Sequence, residues 1–166
     1  MALPPVDPTA KPTFAKRIMT PLGRSKAGKW TIRNVSTRID PILVKLTRGR
    51  LSTLVFTPAV LLTHTGAKSG APRTTPLLYF TDNERVILMA SNFGGTHHPA
   101  WYHNVKAHPE VTLYAGGREG RFRGEEVTGV ERDRLWSLAK QLTIGYADYE
   151  QTTGGRRIPV MAFSPI

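Results

Sequence analysis

The stretch AVLLTHTGAKSGAPRTTPLLYF, residues 59–80, sets the fold reading of this chain. AVLLTHT (59–65) has the texture of a strand, and RTTPLLYF (73–80) reads as a second. Pro76 cannot donate to a ladder, so it predicts an edge or a bulge at that point. Between the strands, HTGAKSGAPR (64–73) carries Lys68, Ser69 and Arg73 on a connection flanked by Gly66 and Gly70. One reading is a solvated hairpin whose glycines accept positive φ and whose charges keep the tip in water. The other is an anion cradle, in which backbone N–H groups converge on a phosphate, Lys68 adds a point charge and Arg73 a two-pronged donor.

The strand texture continues downstream. TDNE (81–84) is a turn, and RVILMAS (85–91) is so continuously apolar that it predicts a strand buried on both faces. PAWYHNVKAHP (99–109) is a short helix opened by Pro99 and stopped by Pro109. EVTLYA (110–115) and GRFRGEEV (120–127) make a hairpin across a Gly-rich turn. Thr128 to Glu131 has the spacing of a capping box opening VERDRLWSLAKQL (130–142), whose Leu135, Leu138, Ala139 and Leu142 line one face. RRIPVMAF (156–163) is the last strand. The pattern predicts a mainly β (α+β) fold, a small antiparallel barrel with helices attached.

Upstream the character differs. Residues 1 to about 12 are Pro-rich and expected to be disordered; TFAKRIMTPLGRSKAGKW (13–30) offers basic turns broken at Pro21 and Gly23; Asp40-Pro41 opens a short helix through PILVKLTRGR (41–50). The division expected is a basic arm, residues 1–50, partly disordered or helical, and a cofactor-binding barrel domain, residues 51–166. Net charge is +11, and residues 1–50 hold 11 Lys/Arg against Asp7 and Asp40, so +9 of it lies in the arm. Such a segment suits an anionic surface or is a solvated tail. Against nucleic acid, the arm offers only Phe14 and Trp30 as aromatics and no recognition motif.

The 166 residues fit one domain with a core, and the absence of cysteine excludes disulfides, thiolate metal sites and cysteine nucleophiles. No run approaches the length of a signal peptide's apolar segment or of a membrane span. The expected location is the cytoplasm, with at most a peripheral contact at the inner membrane face.

Motif chemistry narrows the function. Ala67 precedes Lys68, so the loop is not a nucleotide P-loop, and GGREGRFRG (116–124) leads into a strand rather than a helix. His97, His98, His103 and His108 lack the glutamate base of a zinc helix motif and read as polar loop and helix-start residues. No serine elbow and no motif with paired carboxylates occurs, so the reactive group of an enzyme would come from a cofactor. ASNFGGTHHPAW (90–101) ends a buried strand in small residues that let a flat ring approach the backbone, and its Trp101 is either a stacking surface or core. In IGYADYEQ (144–151), Tyr146 and Tyr149 share a helical face and either cover a pocket or form a partly buried pair.

Together, Thr65-Gly66-x-Lys68-Ser69-Gly70-x-x-Arg73 with Pro76-Leu77, Ala90-Ser91-Asn92-x-Gly94-Gly95, Pro99-x-Trp101-Tyr102-x-Asn104, and Tyr146-x-x-Tyr149 with Ile158-Pro159-Val160 closely resemble the deazaflavin-dependent nitroreductase family of actinobacteria. The resemblance implies a split β-barrel, flavin-reductase/pyridoxamine-oxidase-like, that binds coenzyme F-420, an 8-hydroxy-5-deazaflavin with a phospholactyl-oligoglutamate tail. It assigns the phosphate and tail to Ala67, Lys68, Ser69, Gly70, Ala71 and Pro72, with Arg73 beyond them. Leu61, Leu62, Thr63 and Pro76 would flank the ring. Met89, Ala90, Ser91 and Asn92, with Trp101 and Asn104, would complete the groove. Tyr146 and Tyr149 would lie on the substrate side. Ala67 stands where relatives often carry an arginine, which implies either a weaker tail contact or one shifted to Lys68 and Arg73.

The function expected is hydride transfer from reduced F-420 to a small electron-poor acceptor: a quinone, an enone or a nitro compound. Tyr146, Ser91 or solvent would supply a proton or hydrogen bond. The alternatives are an FMN-binding reductase on the same barrel and a non-catalytic F-420 carrier. Oligomeric state is left open by the residues.

Overall fold

The computed structural model describes residues 3–10, 58–142 and 145–166. Six strands, β1 Ala59–Thr65, β2 Pro72–Asp82, β3 Arg85–Met89, β4 Glu110–Ala115, β5 Arg118–Val127 and β6 Val160–Pro165, close into a barrel in the order β1-β2-β3-β6-β5-β4. Every pairing is antiparallel. The helices of the described residues are α1 Ala100–Ala107, α2 Gly129–Leu142 and α3 Gly145–Thr152, with a 3-10 turn at Asn92–Gly94. The mainly β barrel expected from the strand pattern is the observed fold. The helix expected at 41–50 and most of the basic arm lie outside the described residues.

β3 explains why its sequence is apolar throughout. Val86, Leu88 and Ala90 point into the barrel with Val60 and Leu62 of β1, Leu113 of β4 and Phe163 of β6. Ile87 and Met89 point outward, where α2 and α3 cover them with Leu135, Trp136, Leu142 and Tyr146. A strand that alternates between two cores has no solvent face to make polar. Pro76 also finds its predicted place. It pairs with Leu61 on one side, whereas β3 joins β2 only from Tyr79 onward, so the missing N–H falls where the sheet has a local edge.

Three details depart from the sequence reading. Residues 3–10, expected to be disordered, pack on the barrel: Leu3 is buried in its core, Val6 N donates to Thr81 Oγ1 at 2.9 Å, and Tyr79 Oη donates to the Pro4 carbonyl at 3.1 Å. Extended proline-rich chain suits a strap, because it loses little entropy on docking. The capping box is displaced, since Gly129 has φ +62 and Glu131 instead accepts from Arg85 at 2.6 Å. That contact, with Arg134 gripping Asp82 at 2.8 and 2.9 Å, fastens α2 to the β2–β3 hairpin. The last strand begins at Val160, four residues later than expected at Arg156, because the Arg156 side chain is drawn to a loop described below.

Candidate functional site

The 66–71 connection is a compact turn rather than an open nest. Gly66 N donates to the Ala71 carbonyl at 2.9 Å and Gly70 N to the Gly66 carbonyl at 2.8 Å. Ala71 N reaches Ser69 Oγ at 3.3 Å, and Ala67 N donates to Asn104 Oδ1 at 2.9 Å. Four backbone donors expected to converge on an anion are thus engaged internally. The cations are not: Lys68 and Arg73 are exposed, and neither has a carboxylate partner among the described residues. The turn therefore presents charged side chains on a fixed platform.

Asn104 of α1 fixes that platform. Its Nδ2 donates to His64 Nδ1 at 3.2 Å, and His64 Nε2 meets Thr75 Oγ1 at 3.2 Å. With Nδ1 accepting, the His64 ring carries its proton on Nε2 and donates to Thr75. Burial, reinforced by the nearby Arg73 charge, holds the His64 pKa below its ordinary value, so the ring is neutral and suited to this role. One chain of bonds therefore ties the β1–β2 turn to α1.

The second loop, 90–98, is held differently. The Arg156 guanidinium donates to the carbonyls of Ala90 at 3.3 Å, Ser91 at 2.8 Å and Gly95 at 2.9 and 3.1 Å, and Nη1 donates to His98 Nδ1 at 2.9 Å. From the other side, Thr152 Oγ1 of α3 donates to the Gly94 carbonyl at 3.1 Å. Gly94 has φ +76, and a Cβ there would collide with Thr152 Oγ1 and lie 3.0 Å from Tyr149. Glycine is required at this crossing.

A continuous outward face joins the two loops. Paired residues of neighbouring strands share a face, so Thr63 with Thr74 and Leu61 with Pro76 stand together outside the barrel, and the Thr63 and Thr74 hydroxyls are 3.1 Å apart. Leu78 follows Pro76 on the same side and packs with Met89, Tyr146 and Tyr149. The two tyrosine rings meet edge-on at 6.0 Å, and Trp136 lies 5.7 Å from Tyr146. Burial, then the neighbouring Tyr149, pushes the Tyr146 phenol far above its ordinary range, so it stays protonated.

The structure thus brings Leu61, Thr63, Pro76 and Met89 to one face, with Lys68, Ser69, Gly70, Ala71, Pro72 and Arg73 at one end. Leu62, Ala90 and Trp101 turn their side chains into the barrel core, where Trp101 is 4% exposed. Of the two readings of Trp101, core is the observed one, and Leu62 and Ala90 offer the outward face only backbone. Asn92 Nδ2 donates to the His97 carbonyl at 3.0 Å, closing its own loop. His64 and Arg156 were not singled out from the sequence. Only a threonine-flanked histidine on an otherwise apolar strand hinted at the first, and nothing local marked the second.

Residues 36–165 match the family model described as F420H(2)-dependent quinone reductase. An enzyme of that name from Mycobacterium tuberculosis is 32% identical over 144 residues, covering 82% of this chain and 96% of its own. A second protein of that organism, named a putative reductase of the same kind, is 36% identical over 110 residues, covering 65% of this chain and 90% of its own. Among solved structures, an F420-H2 dependent reductase is 40% identical with a TM-score of 0.60, covering 64% of this chain and 94% of its own. A protein solved as a domain-swapped dimer is 34% identical with a TM-score of 0.61, covering 84% and 100%.

Proposed function

The chain belongs to the F420H(2)-dependent quinone reductase family, and from that premise we infer how its residues carry the reaction. It is an enzyme, a reductase that transfers hydride from reduced coenzyme F-420 to a small electron-poor acceptor, a quinone. The cofactor's acidic tail suits the two cations of the β1–β2 turn, which have no carboxylate partner among the described residues, and its flat ring suits the apolar outward face. When bound, the reduced cofactor would supply hydride, one proton carried with two electrons, to the acceptor. Every other contribution is the chain's own. Lys68 and Arg73 hold the tail through charge-assisted contacts, and Asn104 keeps the turn that carries them in place. Leu61, Thr63, Pro76 and Met89 form the surface under the ring, with Leu62 and Ala90 contributing backbone. Tyr149 and Tyr146 of α3 cover the acceptor and exclude water.

A quinone that has taken hydride is an anion and needs one proton to become the hydroquinone. Tyr146, held protonated by burial, donates a hydrogen bond to that developing charge; with so high a pKa it is a poor source of the proton itself. Solvent near the partly exposed Ser91 completes the reaction. FMN has no support beyond its shared phosphate, whereas the relatives' names are those of F-420 enzymes. Enone and nitro acceptors fit the same chemistry, as does the 1–50 arm resting on an anionic membrane surface. Adsorption of the full chain to phosphatidylglycerol vesicles, lost when residues 11–35 are deleted and weakened by salt, is the expected result for the arm.

The observation that carries the site assignment is the Asn104–Ala67 bond, which anchors the turn bearing two cations that have no carboxylate partner among the described residues. The test is oxidation of reduced F-420 by menadione in the presence of the protein. Turnover that saturates in menadione is expected. No acceleration over the protein-free reaction, with menadione and with a nitroaromatic, would overturn the reading.

A further inference from the structure

We propose that Arg156 is the positioning residue of this site: by gripping the Ala90–Gly95 loop from beneath it fixes both the cofactor edge and, through Gly94, the α3 cover. This rests on the reductase reading, because it is that reading which puts Ser91 and Asn92 beside the cofactor.

The geometry carries it. A guanidinium has five N–H donors and no acceptor, and a buried one commonly meets a carboxylate. Arg156 meets none among the described residues. Its bonds go to three backbone carbonyls, Ala90, Ser91 and Gly95, and to His98 Nδ1. Those carbonyls come from the segment where β3 ends and Asn92 and Phe93 take positive φ of 49 and 54. Non-glycine residues reach that region at a cost, so the loop's shape needs an outside restraint. Arg156 is that restraint, drawing carbonyls of residues four and five apart to one planar fork. Burial lowers the Arg156 pKa, the cost of holding a partly buried cation on neutral partners.

The grip extends to α3. Gly95 is two-fold bonded to Arg156, while the adjacent Gly94 carbonyl accepts from Thr152 Oγ1. Tyr149, one turn before Thr152, packs against the outer core. The loop is thus held between Arg156 on one side and the tyrosine-bearing helix on the other. A change at Arg156 therefore moves ring contact and acceptor cover together. A lysine cannot substitute, since one ammonium on a flexible stem cannot reach three carbonyls and the His98 ring as the guanidinium fork does.

The test has a cofactor-free arm and a catalytic arm, run on Arg156→Lys, Arg156→Gly and, as a milder change, Thr152→Val. In the cofactor-free protein, hydrogen exchange is expected to accelerate at least tenfold at Gly94 and Gly95, whose N–H groups bond within the loop, for Arg156→Lys. Unchanged exchange there would overturn the proposal whether or not the protein is a reductase. In the catalytic arm, Arg156→Lys is expected to weaken F-420 binding and to lower kcat/KM for menadione by tenfold or more. Guanidinium at millimolar concentration should restore much of the loss in Arg156→Gly and none in the wild type. Thr152→Val should raise the KM for menadione while leaving F-420 affinity within twofold. Folded Arg156 variants with wild-type F-420 affinity and kcat/KM would overturn it. A wild-type protein that neither binds F-420 nor reduces menadione would refute the reductase reading alone, leaving the exchange result to judge the loop anchor.

Discussion

At Lys68 and Arg73 the sequence places charge on a turn, and no carboxylate among the described residues pairs with either, so a polyanionic tail gains from both. Lys68→Ala and Arg73→Ala are each expected to weaken F-420 binding by about 1–3 kcal/mol, the range of charge-assisted hydrogen bonds, read by equilibrium titration. Unchanged affinity in both variants, with circular dichroism intact, would remove the site from this turn. Tyr146→Phe is expected to retain F-420 affinity and to lose less than about tenfold in turnover, because general acid catalysis is typically worth about 10²–10⁴-fold and this phenol is held too weakly acidic for it. A loss of 10³ or more would return the proton-donor role to Tyr146. The residues legible in advance were those whose chemistry is local: glycines, cations on a turn, tyrosines one helical turn apart. His64 and Arg156 were not, because their roles depend on partners in other elements, 11 and 40 positions away for His64 and 58 to 66 for Arg156.

Between β1 and α1, the His64–Asn104–Ala67 chain makes the turn sensitive to acid. His64 faces Asn104, Thr75 and the Arg73 charge, and its pKa is lowered chiefly by burial; His98, facing Arg156, His103, Lys106 and Glu126, is lowered in the same direction for the same reason. A group whose folded pKa is depressed gives stability that is complete above its unfolded pKa and lost as pH falls below it. Stability should therefore decline as pH drops below the ordinary histidine value of 6.5, before carboxylates of ordinary value 4.5 titrate. His64→Gln should flatten part of that slope in urea titrations; an identical slope would contradict the neutral-histidine role. In β5, Gly124 lies under Phe163 and Val105, whose atoms would be 2.5 and 2.8 Å from an added Cβ. Gly124→Ala should cost about 1–3 kcal/mol of stability by overpacking, measured by thermal melting. The strands were readable because alternation and apolar runs report burial directly. The start of β6 was not, because Arg156 has the texture of strand flank and a destination in another loop.

Across the whole molecule, the proline-rich segment at residues 3–10 docks on the barrel although its composition suggests disorder, because composition reports low hydrophobicity, not the few bonds that dock it. Tyr79→Phe removes its bond to the Pro4 carbonyl and should cost about 0.5–1.5 kcal/mol, without altering F-420 affinity. The barrel itself was readable from short strands and tight turns, while its closure through three β1–β4 register pairs depends on positions some fifty residues apart and left no local mark. On the proposed reading, this barrel holds F-420 by its face and its tail together. Equilibrium titration of oxidised F-420 beside its chromophore lacking the phosphate and glutamates, and beside FMN, tests it most directly, followed by tryptophan fluorescence at low and high salt. F-420 is expected to bind at least tenfold more tightly than either, with an advantage over the tail-less chromophore that shrinks as salt screens Lys68 and Arg73. Equal affinity for all three, or an advantage indifferent to salt, would contradict it.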